Sequence, residues 1–201
     1  MNIGVDIDEV VAEFLDSFND FLKNEKGILR TKEQYGDQNW FEWLPPEQKD
    51  QIVEEFRQSH YFSDMPVVSD AQKSLTELAK TNTIFFVTSR AVDIKDKTHA
   101  WLKNNFAIPH TVLHAHNHWA AAHKTVPTSK VEFCKQHNID FIVEDGAAFS
   151  LQCANGGIPV ILFDRPWNRK LPNHPLITRV HNWTEAIAII TAMKSNKIKG
   201  K

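Results

Sequence analysis

Cysteine is scarce in this chain of 201 residues. Its two examples, Cys134 and Cys153, lie in otherwise apolar stretches without metal-type spacing. That argues against a disulfide framework or a thiolate metal site and for buried thiols in a reducing compartment. Long apolar runs are missing as well. No segment approaches the ~20 residues that a bilayer-crossing helix needs, and the N-terminus lacks the basic region and apolar stretch of a signal peptide. A cytoplasmic location, without membrane partners, is the expectation. Excess charge of one sign is also absent: 23 Lys and Arg against 25 Asp and Glu leave a net −2. Such a balance offers no general attraction to a nucleic acid polymer, so any phosphate chemistry must rely on local cations. Neither an internal repeat nor a low-complexity linker interrupts the chain, which speaks against tethered domains. The lysine-rich end, Lys194 to Lys201, reads as a frayed terminus.

What the chain does have is alternation. Short runs rich in Val, Ile and Phe (Ile3–Ile7, Thr83–Val87, Thr111–Leu113, Asp140–Val143 and Pro159–Phe163) predict strands. Between them, Asp70–Lys80, Ile94–Asn105, Lys130–His137 and Ala147–Ala154 predict helices, and Asn182 with Glu185 sets a capping box for a last helix over Thr184–Met193. The Gly156-Gly157 pair reads as a helix stop. Strands alternating with helices indicate an α/β fold, a Rossmann-like parallel sheet with helices on both faces. One region departs from this rhythm. From Glu13 to Pro66 the pattern is helical throughout and holds the aromatic cluster NWFEWL, Asn39 to Leu44. The expected organisation is a catalytic core of residues 1–12 and 67–201, with a small helical cap, residues 13–66, inserted after the first strand.

In parallel α/β sheets ligands bind at the carboxyl ends of strands. The first predicted strand ends in Asp6 and Asp8, the second in Thr88, Ser89 and Arg90, the fourth in Glu144 and Asp145, and Lys130 opens the helix before that fourth strand. Residues two apart on a strand share a side, so Asp6 and Asp8 are expected to face one site. The set suits hydrolysis of a phosphate monoester. A divalent cation on Asp6, Asp8 and Asp145 screens the repulsion between two anions, and Mg²⁺ matches an all-oxygen donor set. Thr88, Ser89, Arg90 and Lys130 are the candidate phosphate-binding residues. Asp6 is the candidate nucleophile and Asp8 the acid–base group, two neighbouring carboxylates dividing the work.

With those residues in place, DIDEV, VTSR, a later lysine and VEDG resemble the four motifs of the haloacid dehalogenase-like superfamily, from the first strand to about Arg169. Each motif is weak alone; four in order and in strand context are specific. Within it, DIDEVVAEF, the cap length, HYFSDMPVV and VILFDRPWNR are similar to the 5′(3′)-deoxyribonucleotidases and their bacterial relatives. The resemblance implies a Rossmann-like core, Mg²⁺ dependence, an aspartyl-phosphate intermediate, a nucleoside monophosphate as substrate, and Phe14 packed against the base. Glu144 stands where many relatives have aspartate, and Arg90 where some have proline.

Plainer readings compete at several positions. Thr88 and Ser89 could simply cap the next helix. Lys124 rivals Lys130 as the phosphate lysine, and Lys130 is preferred because it opens the helix leading to the fourth strand. Arg90 could clamp substrate or pair with a helix acid. Glu144 reads as an acceptor outside the metal's own ligands. Of the cap aromatics Trp40, Phe41, Trp43, Tyr61 and Phe62, most belong to a lobe core; Phe14 and Trp43 are taken as facing substrate. In HTVLHAHNHWAAAH, the histidines 110, 114, 116, 118 and 123 lack a neighbouring cysteine or carboxylate, and a loop is preferred over a zinc site. Arg165, Trp167 and Asn168 could close the site or merely cover the sheet end. Rival functions are a phosphatase for another small phosphate ester and a phospho-receiver module. Oligomeric state stays open, a homodimer among the options.

Overall fold

A computed structural model describes residues 1–36, 40–117 and 124–199, the side chains of 195–199 excepted. Six parallel strands form one sheet: β1 (Asn2–Val5), β2 (Thr83–Thr88), β3 (His110–His114), β4 (Phe141–Glu144), β5 (Val160–Phe163) and β6 (Ile177–Val180). Their order is β3-β2-β1-β4-β5-β6. The sequence pattern anticipated the first five. The sixth, Ile-Thr-Arg-Val, is a four-residue edge strand of which Val180 is buried and the other three are partly covered or exposed, a short signal against its polar flanks.

Helices α4 (Ala71–Ala79), α5 (Lys95–Asn105), α6 (Lys130–Gln136) and α7 (Ala147–Asn155) alternate with the first five strands, a 3₁₀ turn at Pro166–Asn168 lies between β5 and β6, and α8 (Trp183–Lys199) follows β6. The strand side chains explain why both faces are covered. Ile3, Val5, Ile84, Phe86, Phe141, Val143, Ile161 and Phe163 enter one buried cluster with Leu75, Leu78, Trp183 and Ile190 of α4 and α8. Their neighbours Phe85, Val87, Ile142, Val160 and Leu162 enter the other with Cys134 and Cys153 of α6 and α7. Successive residues facing opposite ways is the period-two signature of a strand, and apolar residues on both sides mark a sheet buried twice. Asn182 caps α8 as expected, its Oδ1 accepting from the Glu185 amide at 2.9 Å.

Between β1 and β2 the described residues hold no further strand. Ahead of α4 they form α1 (Phe14–Lys26), a 3₁₀ turn at Lys32–Gln34, α2 (Pro46–Gln58) and α3 (His60–Ser63). Aromatic rings knit this segment together: Phe18 and Phe56 lie 5.0 Å apart edge to face, Phe14 and Phe56 5.4 Å, and Phe56 and Phe62 5.6 Å. A small lobe has little room for an aliphatic core, and few large rings bury most area per residue. Both cysteines are buried and unbridged. Among the described residues no helix is long and apolar enough to cross a membrane.

Candidate active site

Strand order reverses between β1 and β4, the place in such sheets where a crevice opens above the carboxyl ends. Asp6 follows β1 directly and its amide donates to the Val143 carbonyl of β4 at 2.9 Å, so the carboxylate starts at that crevice. Glu144 ends β4 and Asp145 follows it. Carboxylate oxygens of Asp6, Glu144 and Asp145 lie within 4.8 Å of one another, and all three residues are buried.

Lys130, buried at the start of α6, is held in this cluster. Its Nζ lies 3.0 Å from Asp6 Oδ1, donates to Glu144 Oε1 and sits 4.6 Å from the centre of the Phe149 ring. Glu144 Oε2 accepts from the Asp145 and Gly146 amides at 2.7 and 2.9 Å. Asp145 Oδ2 accepts the indole N–H of Trp167 at 2.8 Å, and its carbonyl accepts from Asn168 at 2.7 Å. Burial, reinforced by Glu144, pushes the Asp6 carboxyl up to about 8, and the same causes carry Asp145 well above the carboxylate range. Burial alone would lower the Lys130 pKa, but Asp6 and Glu144 more than offset it and leave it raised.

Three buried carboxylates thus meet one buried ammonium, an imbalance that is costly in a dry interior. Glu144 spends its oxygens on Lys130 and two amides, whereas Asp6 and Asp145 each keep an oxygen outside the hydrogen bonds described. An all-oxygen donor set with surplus negative charge fits a hard divalent cation such as Mg²⁺.

Asp8 stands apart from that trio. Its carboxylate is taken by Arg90, with Nε 3.1 Å from both oxygens and Nη2 2.6 Å from Oδ1. β1 ends at Val5 and Asp8 lies beyond it, followed by Glu9 in the left-handed region at φ 59°; Asp6 and Asp8 nevertheless border one cavity, as the sequence suggested. Glu9 is fully buried; its Oε1 accepts from the Leu15 amide at 2.6 Å, its Oε2 lies 2.9 Å from Lys32 Nζ, and its carbonyl accepts from Arg165 Nη2 at 2.7 Å. Neither Glu9 nor Lys32 was singled out in the sequence; a glutamate following the second aspartate carries no pattern of its own.

A cavity of about 600 Å³ opens above these groups. Asp6, Asp8, Ser89, Arg90, Lys130 and Asp145 line it from the sheet side, and Phe14, Trp40, Phe41 and Phe56 from the helical segment. Phe14 is therefore brought to it and Trp43 is not. The Trp43 indole donates to the Trp40 carbonyl at 2.9 Å and its ring stacks under Arg30, whereas Trp40 reaches Trp167, ring to ring at 5.5 Å. Thr88 is buried with Oγ1 accepting from the Arg90 amide at 3.1 Å, a turn-forming bond. Ser89 Oγ donates to the His116 carbonyl at 3.1 Å. Lys124 also lines the cavity, but its Nζ is 2.9 Å from Asp93. Of the histidine tract, His118 and His123 lie outside the described residues. His114 Nε2 lies 3.2 Å from His99 Nε2, and His110 and His116 lie against backbone carbonyls. Among the described residues, the one group of three or more donors close enough to share a metal is the acidic trio.

Residues 1–196 match the family described as 5′ nucleotidase, deoxy (Pyrimidine), cytosolic type C protein. A nucleotidase of Clostridium acetobutylicum is 28% identical over 196 residues, covering 94% of this chain and 93% of its own. A conserved haloacid dehalogenase-like protein of unknown function from Agrobacterium tumefaciens superposes with a TM-score of 0.65 at 18% identity, over 96% of this chain and 98% of that one. A haloacid dehalogenase-type hydrolase from Deinococcus radiodurans, solved with bound phosphate and sodium, gives 0.58 at 14% identity, over 95% of each chain. The chain belongs to the cytosolic type C 5′ nucleotidase family, and is a nucleotidase-like phosphatase built on the haloacid dehalogenase-like fold.

Proposed function

We propose that the protein is a Mg²⁺-dependent phosphomonoesterase for nucleoside monophosphates, acting through an aspartyl-phosphate at Asp6. The observation that carries this reading is that one cavity joins the surplus-charged acidic floor to an aromatic roof. Asp6 and Asp145 would hold the ion, which supplies charge balance between an anionic nucleophile and an anionic ester. Lys130, fixed against Asp6 and Glu144, adds a positive charge where phosphoryl oxygens collect. Asp6 attacks phosphorus. Asp8 protonates the departing ribose oxygen and later takes the proton of the attacking water. Phe14, Trp40 and Phe41 offer ring faces of the kind nucleobases stack on. Residues 13–66 serve as the cap that excludes water and selects the leaving group. Two buried free thiols suit a reducing cytoplasm.

Phosphate release from a panel of nucleoside and sugar monophosphates, with Mg²⁺ and with EDTA, tests the proposal. Hydrolysis of nucleotides that EDTA abolishes, and that Asp6→Asn lacks, is the expected result. Activity indifferent to chelation, or retained by Asp6→Asn, overturns the mechanism; a clear preference for sugar phosphates overturns the substrate class alone.

A further inference from the structure

Arg90 follows a strand end and was read from sequence as either a substrate clamp or a partner of a helix acid. The structure gives its guanidinium a different engagement. Nε and Nη2 are committed to Asp8 at 3.1, 3.1 and 2.6 Å. Nη1 donates to Thr98 Oγ1 at 3.4 Å, and that hydroxyl is itself tied to the Ile94 carbonyl at 3.0 Å. The guanidinium carbon lies 5.1 Å from the centre of the Phe62 ring, and Nη2 is 3.8 Å from the Met65 sulfur. Arg90 is 6% exposed, although it borders the cavity. The edge of the guanidinium that carries Nε and Nη2 is committed to Asp8, and of the described bonds Nη1 makes one, the long contact to Thr98, so a phosphoryl group cannot have the two-pronged edge without releasing Asp8. A planar fork on a carboxylate fixes direction as well as charge, whereas an aspartate on a turn beside an open cavity would otherwise sample several rotamers.

We infer that Arg90 is the positioning residue of Asp8: it aims the carboxylate that handles protons, and the phosphate is left to Lys130 and the metal site. The inference rests on the role given to Asp8 above. In the step it serves, the water oxygen bonds to phosphorus and the bond from phosphorus to the Asp6 oxygen breaks. The water proton passes to Asp8, and Asp6 is regenerated as carboxylate. A misaimed Asp8 slows that step and also the departure of a poor leaving group, while substrate binding is untouched.

The test uses the full chain with Mg²⁺, comparing Arg90→Gln and Arg90→Lys on a nucleoside monophosphate and on p-nitrophenyl phosphate, whose leaving group needs no proton. Acid-quenched labelling measures the steady-state aspartyl-phosphate. For Arg90→Gln the expected results are a kcat at least 10-fold lower on the nucleotide, a KM within about 3-fold, and a larger fraction of enzyme trapped as phosphoenzyme with p-nitrophenyl phosphate. Arg90→Lys, which keeps one donor, recovers part of the loss and covers the case in which the glutamine variant does not fold. A KM raised 10-fold with kcat preserved makes Arg90 a substrate clamp and overturns the inference. So does a phosphoenzyme fraction unchanged in both variants. Asp8→Asn separates the two levels: full activity there removes the role of Asp8 itself, whereas an inactive Asp8→Asn beside unimpaired Arg90 variants removes the positioning role alone.

Discussion

The indole N–H of Trp167 points at Asp145 Oδ2 across 2.8 Å, so an aromatic side chain beyond β5 decides which oxygen of that carboxylate is left for a metal. Partners that orient a ligand in this way typically carry ~10–100-fold in metal affinity. Trp167→Phe keeps the ring that meets Trp40 but removes the donor. The Mg²⁺ concentration for half-maximal activity should rise by about that factor, with kcat at saturating Mg²⁺ within ~3-fold of the parent. An unchanged Mg²⁺ dependence would mean that the indole does not orient Asp145 for the ion.

Trp40 and Trp43 are three residues apart and separate cleanly in role. Trp40 lines the cavity and touches Phe14 at 5.6 Å, while Trp43 packs against Arg30 and Tyr35 away from it. Base stacking is worth ~1–3 kcal/mol. Trp40→Ala should therefore raise the nucleotide KM by roughly 5- to 150-fold, and Trp43→Ala should lower thermal stability while leaving KM within ~3-fold. Equal KM effects in the two variants would place Trp43 at the substrate after all.

Lys130 is the sole cation in contact with the acidic trio among the described residues. Removing one partner of a buried ion pair costs ~3–5 kcal/mol because the other charge stays behind. Lys130→Met should lose stability of that order in EDTA, and added Mg²⁺ should restore more stability to it than to the parent, since the ion then answers a larger charge deficit. Urea unfolding with and without Mg²⁺ measures both. A variant as stable as the parent in EDTA would contradict the ion-pair account.

Much of this architecture was legible because it depends on patterns a chain carries locally. The two-faced apolar runs of β2 and β4, the hydroxyls after the first and the acids at the end of the second needed only strand periodicity and the rule that ligands sit at carboxyl ends. What stayed hidden depends on contacts between distant residues. Glu144 is drawn to Lys130 from 14 positions away, and Arg90 reaches Asp8 across 82. Asp8 was expected to share a site with Asp6 and does border the same cavity, but strand periodicity could not show that its carboxylate is held by Arg90. Trp43 and Trp40 share one aromatic cluster in the sequence, and composition cannot say which ring the turn before α2 directs inward.

Gly156 tests the packing behind the site, because two effects there have opposite sign. Its φ of −76° suits any residue, so alanine would ordinarily stabilise by ~0.4–1 kcal/mol through the unfolded chain. A Cβ at that position would, however, lie 2.3 Å from Val131 Cγ2, one residue past Lys130 on α6. Overpacking costs ~1–3 kcal/mol, and the larger figure should win. Gly156→Ala is expected to destabilise by ~1–2 kcal/mol, and in a Val131→Ala background the same substitution should become neutral or stabilising, since the clashing methyl is gone. Adjacent Gly157 is a contrast: its φ of +84° is hostile to any side chain, so Gly157→Ala should destabilise whichever residue occupies 131. Denaturant unfolding of the three single variants and the two double variants, with kcat measured alongside, separates the steric cause from the conformational one; a penalty for Gly156→Ala that survives Val131→Ala would rule the clash out.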